Sequence, residues 1–146
     1  MLLYLDLNCF NRPFDDQNQA RVVRETGAVF EILQRITEGI DRLAWSAILD
    51  FENSQHPFVD RRTEIAGWAQ RASVTIGLAD HIFARAHALT EAGFAPLDAA
   101  HIASAEAAGC ARLLTCDDEM IRSARRVSLS LTIQTPIEYL EDHTDA

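Results

Sequence analysis

Lysine is absent: all 13 basic residues of the 146-residue chain are arginines. That excludes a P-loop lysine, a Schiff base and the lysine that accompanies an aspartyl-phosphate pocket. Cysteine is scarce. Cys9, Cys110 and Cys116 make an odd count without C-x-x-C spacing, so free thiols in a reducing compartment are expected, not a disulfide framework. No uncharged apolar run approaches the ~18 residues of a membrane-spanning helix. The opening Met1-Leu2-Leu3-Tyr4-Leu5-Asp6 has no basic residue and meets an acid too early for a secretory signal. The expected location is the cytoplasm. Internal repeats and low-complexity tracts are also missing. Positive charge is in short supply, with 13 basic against 22 acidic residues and a net charge of −9. Such a surface excludes tight non-specific binding to bulk DNA, which needs phosphate neutralisation, yet leaves room for a local nucleic-acid site.

With 48% hydrophobic residues, the chain has material for one core and one domain. We expect that domain over 1–141, with a short acidic tail over 142–146. Leu2 to Leu5 is a continuous apolar run, as in a strand buried on both faces. Gln19 to Glu38 places Val22, Val29, Ile32, Leu33 and Ile36 on one helical stripe. Further strands are expected at Arg42–Ser46, Val74–Ile76, Arg112–Thr115 and Leu129–Ile133. Helices are expected at Ala47–Ser54, Arg61–Ala72, Leu78–Ala92, Leu97–Ala108 and Asp118 to about Arg126, with a last one from Pro136. Asn11 to Asn18 reads as a polar, turn-rich loop. Strands separated by helices imply an α/β fold with a mainly parallel sheet of four to five strands, and ligand sites beyond the carboxyl ends of the strands.

Four acids stand at such places. Asp6 closes the first apolar run, where a carboxylate is costly unless paired, hydrogen-bonded or bound to a cation; the plainer alternative is an Asx-turn ending the strand. Asn8 follows two residues on and points the same way if the chain is still extended. Glu52 shares a helical face with Ile48 and Leu49, whereas Asp50 is offset and solvated. Asp98 opens an alanine-rich helix two residues after Pro96, a position that also suits a plain helix-terminal acid. Asp117 follows Leu113-Leu114-Thr115-Cys116 at a strand-to-helix junction, with Asp118 and Glu119 as first-turn acids. Converging carboxylates repel one another unless a cation lies among them, and hard oxygen ligands suit Mg²⁺ or Mn²⁺. A divalent ion held this way activates water and neutralises phosphate oxygens.

Tyr4-Leu5-Asp6-Leu7-Asn8, Ser46 through Phe51-Glu52, Leu97-Asp98-Ala99-Ala100-His101-Ile102-Ala103, Leu113-Leu114-Thr115-Cys116-Asp117 and the closing Ile133 to Leu140 resemble the PIN-domain nucleases, and within them the VapC-like toxins of toxin–antitoxin pairs. The resemblance implies a three-layer α/β/α sandwich and an Mg²⁺- or Mn²⁺-dependent endoribonuclease leaving a 5′ phosphate. It assigns Asp6, Glu52, Asp98 and Asp117 to catalysis and the metal, with Asp118 as the rival for the fourth acid. Thr115 and Asn8 take supporting places. It also implies an RNA substrate, a cognate antitoxin and a homodimer. The alternative is a catalytically silent PIN-like module that binds RNA or protein.

Other residues read more plainly. Asp98-x-x-His101 could hold zinc, but no further His or Cys has matching spacing, so His101 is expected as a structural histidine near the pocket. Trp45 and Trp68 are expected in the core or at a dimer contact. Arg12 lies close enough to Asp6 in sequence to reach a phosphate, while Arg61-Arg62 and Arg122, Arg125 and Arg126 fit solvated helix faces.

Overall fold

The computed structural model describes residues 1–143. The first strand, β1 (Leu2–Leu5), is buried at every position and occupies the centre of a five-stranded sheet. Its neighbours are β2 (Arg42–Ser46) and β4 (Arg112–Leu114), with β3 (Val74–Ile76) and β5 (Thr132–Gln134) outside them, in the order β3-β2-β1-β4-β5. All four pairings are parallel: Leu3 lies opposite Leu43 on one side and Arg112 on the other. A strand paired on both edges and covered on both faces has no solvated side, which explains why Leu2 to Leu5 does not alternate in polarity.

The connections are α1 (Leu7–Asn11) and α2 (Ala20–Thr37) before β2, then α3 (Ala47–Ser54) and α4 (Val59–Ala66) before β3. After β3 come α5 (Asp80–Glu91) and α6 (Pro96–Ala107), then α7 (Asp118–Ala124) between β4 and β5, and finally α8 (Pro136–His143). From β1 the chain steps outward to β3, then crosses back past β1 to β4. Right-handed crossovers therefore put the two sets of helices on opposite faces. This is the expected α/β sandwich, with a wholly parallel five-stranded sheet. The chain reverses direction between β1 and β4, the switch point where open α/β sheets form their crevice.

Local sequence explains the joints. Val29, Ile32, Leu33 and Ile36 of α2 are buried in the core as their spacing requires. The α6 helix ends in a Schellman turn. Gly109 adopts φ +76° and donates to Glu106 O at 3.0 Å, while the Cys110 amide donates to Ala105 O at 3.0 Å, returning the chain to β4. The three cysteines are buried and free, and Trp45 is 1% exposed in the core.

Several boundaries differ from expectation. The segment after Asp6 coils at once into α1, because Leu7, Cys9 and Phe10 are buried and a helical turn carries all three inward. A tight 3₁₀ turn over Arg12–Phe14 follows. The helix expected over Arg61–Ala72 starts at Val59 and tightens into a 3₁₀ turn over Gly67–Arg71. The last strand pairs over Thr132–Gln134, later than the apolar pattern of Leu129–Ile133 suggests. Asp142 and His143 belong to α8, where Asp142 accepts from Gln134 Nε2 at 3.0 Å. The remainder of the expected acidic tail, 144–146, lies outside the described residues. None of the described helices is long and apolar enough to cross a membrane.

At the amino end of the sheet, Asp41 is 2% exposed. Its carboxylate accepts from Arg35 Nε at 2.8 Å, the Tyr139 hydroxyl at 2.8 Å and the Met1 amine at 3.0 Å. Burial pushes this carboxyl up, but these three donors outweigh it and hold it below the usual carboxylate range. A depressed folded pKa stabilises the fold above the unfolded value and is lost as pH falls through the folded one. Asp41→Asn should therefore cost about 2 kcal/mol at neutral pH, with the difference from wild type shrinking in acid; urea titrations at pH 7 and pH 3 measure both.

Candidate metal centre

Asp6 follows β1 at the centre of the carboxyl rim. Its amide donates to Leu114 O at 2.9 Å, extending the β1–β4 pairing by one bond and fixing where its side chain emerges. Although Asp6 occupies the N-cap position of α1, its carboxylate makes no capping bond. The Asx-turn alternative therefore does not describe this residue. Asp6 Oδ2 instead accepts from Thr115 Oγ1 at 2.8 Å and Asn8 Nδ2 at 3.1 Å. Thr115 Oγ1 in turn accepts from Asn8 Nδ2 at 3.1 Å and the Asp117 amide at 3.0 Å. Asn8 Oδ1 accepts from the Cys116 amide at 3.1 Å. The two supporting residues thus join β1 to β4 and leave Asp6 Oδ1 facing the pocket. Asn8 comes alongside Asp6 through the turn of α1, not through an extended chain.

Glu52 arrives from β2. Ser46 caps α3 by accepting from the Leu49 amide at 3.1 Å, and Ile48 and Leu49 bury one face of that helix. Glu52 is left at the edge of that face with its side chain 27% exposed. Asp50 on the other side is exposed and accepts from Trp45 Nε1 at 2.8 Å. Across the pocket, His101 Nε2 lies 3.0 Å from Glu52 Oε1 and 3.8 Å from Asp6 Oδ1. One ligand atom each from Asp6, Glu52 and His101 falls within 4.8 Å of the other two.

Asp98 stands in the first turn of α6, partly buried. Among the described residues, nothing hydrogen-bonds its carboxylate. Burial, then the charges of Asp6 and Asp117, push its carboxyl up to about 6, with His101 pulling the other way and Glu52 adding to the rise. Asp98 therefore shares one electrostatic neighbourhood with the other three acids. Burial also raises Asp6, against the pull of His101 and the Thr115 hydrogen bond. For His101, the Glu52 hydrogen bond and the surrounding carboxylates outweigh the lowering effect of burial and raise its pKa above the usual value.

Asp117 caps α7, its Oδ1 accepting from the Glu119 amide at 2.9 Å and the Met120 amide at 3.4 Å. This conventional role engages one oxygen. Asp118 is occupied differently: Arg21 grips both its oxygens at 2.8 Å, and it is exposed. Arg21 also reaches Glu25, 2% exposed, at 3.3 Å. Arg12 bonds the same Glu25 at 3.0 Å and Asp15 at 2.8 Å. Both arginines near the rim are thus committed to other carboxylates. Among the described residues no arginine pairs with Asp6, Glu52, Asp98 or Asp117.

Sequence reasoning understated His101. Its ring is 1% exposed, and its Nδ1 lies 2.7 Å from the Tyr4 hydroxyl, itself 2.6 Å from Ser46 Oγ. The Asp98-x-x-His101 spacing was its only local signal; the partners are remote in sequence. The donor set, carboxylate oxygens with no neutralising arginine, fits a divalent cation such as Mg²⁺ or Mn²⁺. Asp6 and Glu52 each bring an oxygen to the pocket beside His101 Nε2, whereas among the described residues Asp98 and Asp117 lie outside this close group.

No protein-family model and no curated protein matches this sequence. Solved structures do share its fold. FitAcB from Neisseria gonorrhoeae is 14% identical with a TM-score of 0.59, over 94% of this chain and 99% of that one. FitAB bound to an IR36 DNA fragment is 17% identical with a TM-score of 0.55, over 93% and 95%. VapBC2 from Rickettsia felis, bound to a DNA fragment from their promoter, is 14% identical with a TM-score of 0.62, over 92% and 98%.

In the unfolded chain the Asp98 carboxyl titrates near 4, against about 6 in the fold. The ionised form therefore costs stability, growing from about pH 4 to pH 6 and constant above. Asp98→Asn should stabilise the metal-free protein at pH 7.5 by roughly 1 kcal/mol, a two-unit shift discounted for partial exposure. The gain should disappear near pH 4, as urea titration in EDTA would measure. With nearly full-length coverage on both sides, the likeness establishes that the chain has the PIN-like fold of the FitAcB and VapBC2 structures.

Proposed function

We propose that this chain is a divalent-metal-dependent endoribonuclease and the toxin of a toxin–antitoxin pair, with Asp6, Glu52, Asp98 and Asp117 as its metal-holding and catalytic acids. The observation that carries the reading is the uncompensated negative charge at the β1–β4 switch point. The charges of Asp6, Asp117 and Glu52, from three separate stretches, add to burial in lifting Asp98 to about 6, and the nearby arginines are engaged elsewhere. A bound Mg²⁺ or Mn²⁺ supplies an activated water and neutralises phosphate oxygens. Thr115 and Asn8 hold Asp6 by its Oδ2, leaving Oδ1 for the ion. Asp117 keeps one oxygen on the α7 amides, and its other oxygen has no hydrogen bond among the described residues. Asp98, free of hydrogen bonds among the described residues, would offer its carboxylate oxygens to the ion. Arg12 remains within the same rim and could meet a phosphate only by leaving Glu25 and Asp15.

The similar structures bear on the partner. Two of them are complexes bound to DNA. A chain with a net charge of −9 is poorly suited to broad contact with duplex phosphates, so in an equivalent complex DNA binding falls to a basic antitoxin, which the acidic surface also attracts. The location consistent with this role is the cytoplasm, and the working form is a homodimer.

The test is RNA cleavage by purified protein with Mg²⁺, Mn²⁺ or EDTA. Cleavage should require the ion and fall by more than about 100-fold in both Asp6→Asn and Asp98→Asn, with circular dichroism unchanged. RNA binding without ion-dependent cleavage would instead favour the silent module.

A further inference from the structure

The Ser46–Tyr4–His101–Glu52 chain has a direction that hydrogen counting fixes. Ser46 Oγ already accepts from the Leu49 amide at 3.1 Å. It lies 2.6 Å from the Tyr4 hydroxyl, which lies 2.7 Å from His101 Nδ1, while His101 Nε2 lies 3.0 Å from Glu52 Oε1. In one arrangement Ser46 donates to Tyr4, Tyr4 donates to Nδ1 and the Nε2–H donates to Glu52. Every polar hydrogen then has an acceptor. In the reverse arrangement Nδ1–H donates to Tyr4 and Tyr4 to Ser46. The Ser46 hydrogen is then left without an acceptor among the described residues, and a bare Nε2 lone pair faces a carboxylate. Ser46, Tyr4 and His101 are all at most 1% exposed, so water does not relieve either fault, and an unmet buried hydroxyl is costly. A further proton on Nδ1 leaves the Nε2–H where it is.

Resting on the reading of the rim as a divalent-metal centre, we propose that His101 is the positioning residue of that centre: its Nε2–H, locked outward by Tyr4 and Ser46, holds Glu52 and faces Asp6, while the ring itself does not bind the ion. The geometry sets what this N–H does. It lies 3.0 Å from one metal-holding carboxylate and 3.8 Å from another, so one donor sets Glu52 and lessens the repulsion between the two acids. The edge-to-face contact of the Tyr4 and His101 rings, with centroids 5.6 Å apart, resists rotation of the imidazole. For Nε2 to ligate the ion instead, the ring would have to lose its Nε2 proton and the whole relay invert.

The experiment has two readouts besides activity. In protein labelled with ¹⁵N-histidine, the His101 Nε2 signal should be that of a protonated nitrogen without metal and should stay so at saturating Mg²⁺. Mn²⁺ affinity, by calorimetry or electron paramagnetic resonance, should fall about 10- to 100-fold in His101→Leu. It should recover most of that loss in His101→Gln, whose amide N–H sits the same number of bonds from the backbone. Loss of the Nε2 proton on Mg²⁺ binding overturns the proposal by making His101 a ligand. Wild-type Mn²⁺ affinity in His101→Leu, or equal losses in both variants, overturns it by leaving the N–H without a role. A wild-type protein that binds neither ion overturns the metal-centre reading itself, and this proposal with it. The labelled wild type decides the ligand question even if His101→Leu does not fold.

Discussion

Like charges brought together in a half-buried pocket repel, and the carboxyl rim of this sheet is arranged around that repulsion. Asp6 is the most deeply placed of the acids, and it is also the best supported, with Thr115 and Asn8 donating to one oxygen and the His101 ring beyond the other. Asp98 has less protein support, and burial with the charges of Asp6 and Asp117 lifts its carboxyl to about 6. Support is therefore graded with depth: the acid that cannot reach water is held by hydrogen bonds, and the acid nearer solvent has none among the described residues.

The rest of the charge is treated differently. Glu25 is 2% exposed yet shared by Arg12 and Arg21, and Asp41 at the opposite end of the sheet has Arg35 and Tyr139. Each buried acid away from the rim meets a guanidinium, whose fixed fork suits carboxylates. Arginine is plentiful within reach of the rim as well, since Arg21 grips Asp118, immediately beside Asp117. That adjacency makes the lack of a guanidinium on the four acids a local property of the pocket and not a consequence of the chain's overall shortage of positive charge. It also separates Asp117 from Asp118: the second is neutralised by an arginine, while the first is felt by Asp98.

Much of this was legible in the sequence because it depends on short-range pattern. The unbroken run Leu2–Leu5 marks a central strand, and a carboxylate at its end marks the rim. The spacing of Ile48, Leu49 and Glu52 places an acid at the edge of a buried face, and the fold brings it to the same rim. Elements too short for periodicity were not legible: α1 spans five residues and is set by tertiary burial of Leu7, Cys9 and Phe10. The pairing of β5 is set by its register against Arg112–Leu114, which no local pattern encodes. The His101 network was hidden for the same reason, since its ring is aimed by Tyr4, on β1, and Ser46, at the end of β2.

That non-local aiming has a structural consequence for the whole pocket. Asp6 and Tyr4 leave the same strand, two residues apart, and so share a face of the pleat. Ser46 both caps α3 and anchors Tyr4, so the turn that positions Glu52 is tied to the ring that touches it. The β1 strand lies at the centre of the sheet with a hydrogen-bonded neighbour on either side, which limits how far it can shift. Building both the deepest acid and the first link of the His101 relay on that strand makes the distance between Asp6 and Glu52 depend on sheet register and not on loop conformation. Carboxylates that repel one another would otherwise splay apart, and rigid elements hold such a geometry more accurately than loops do.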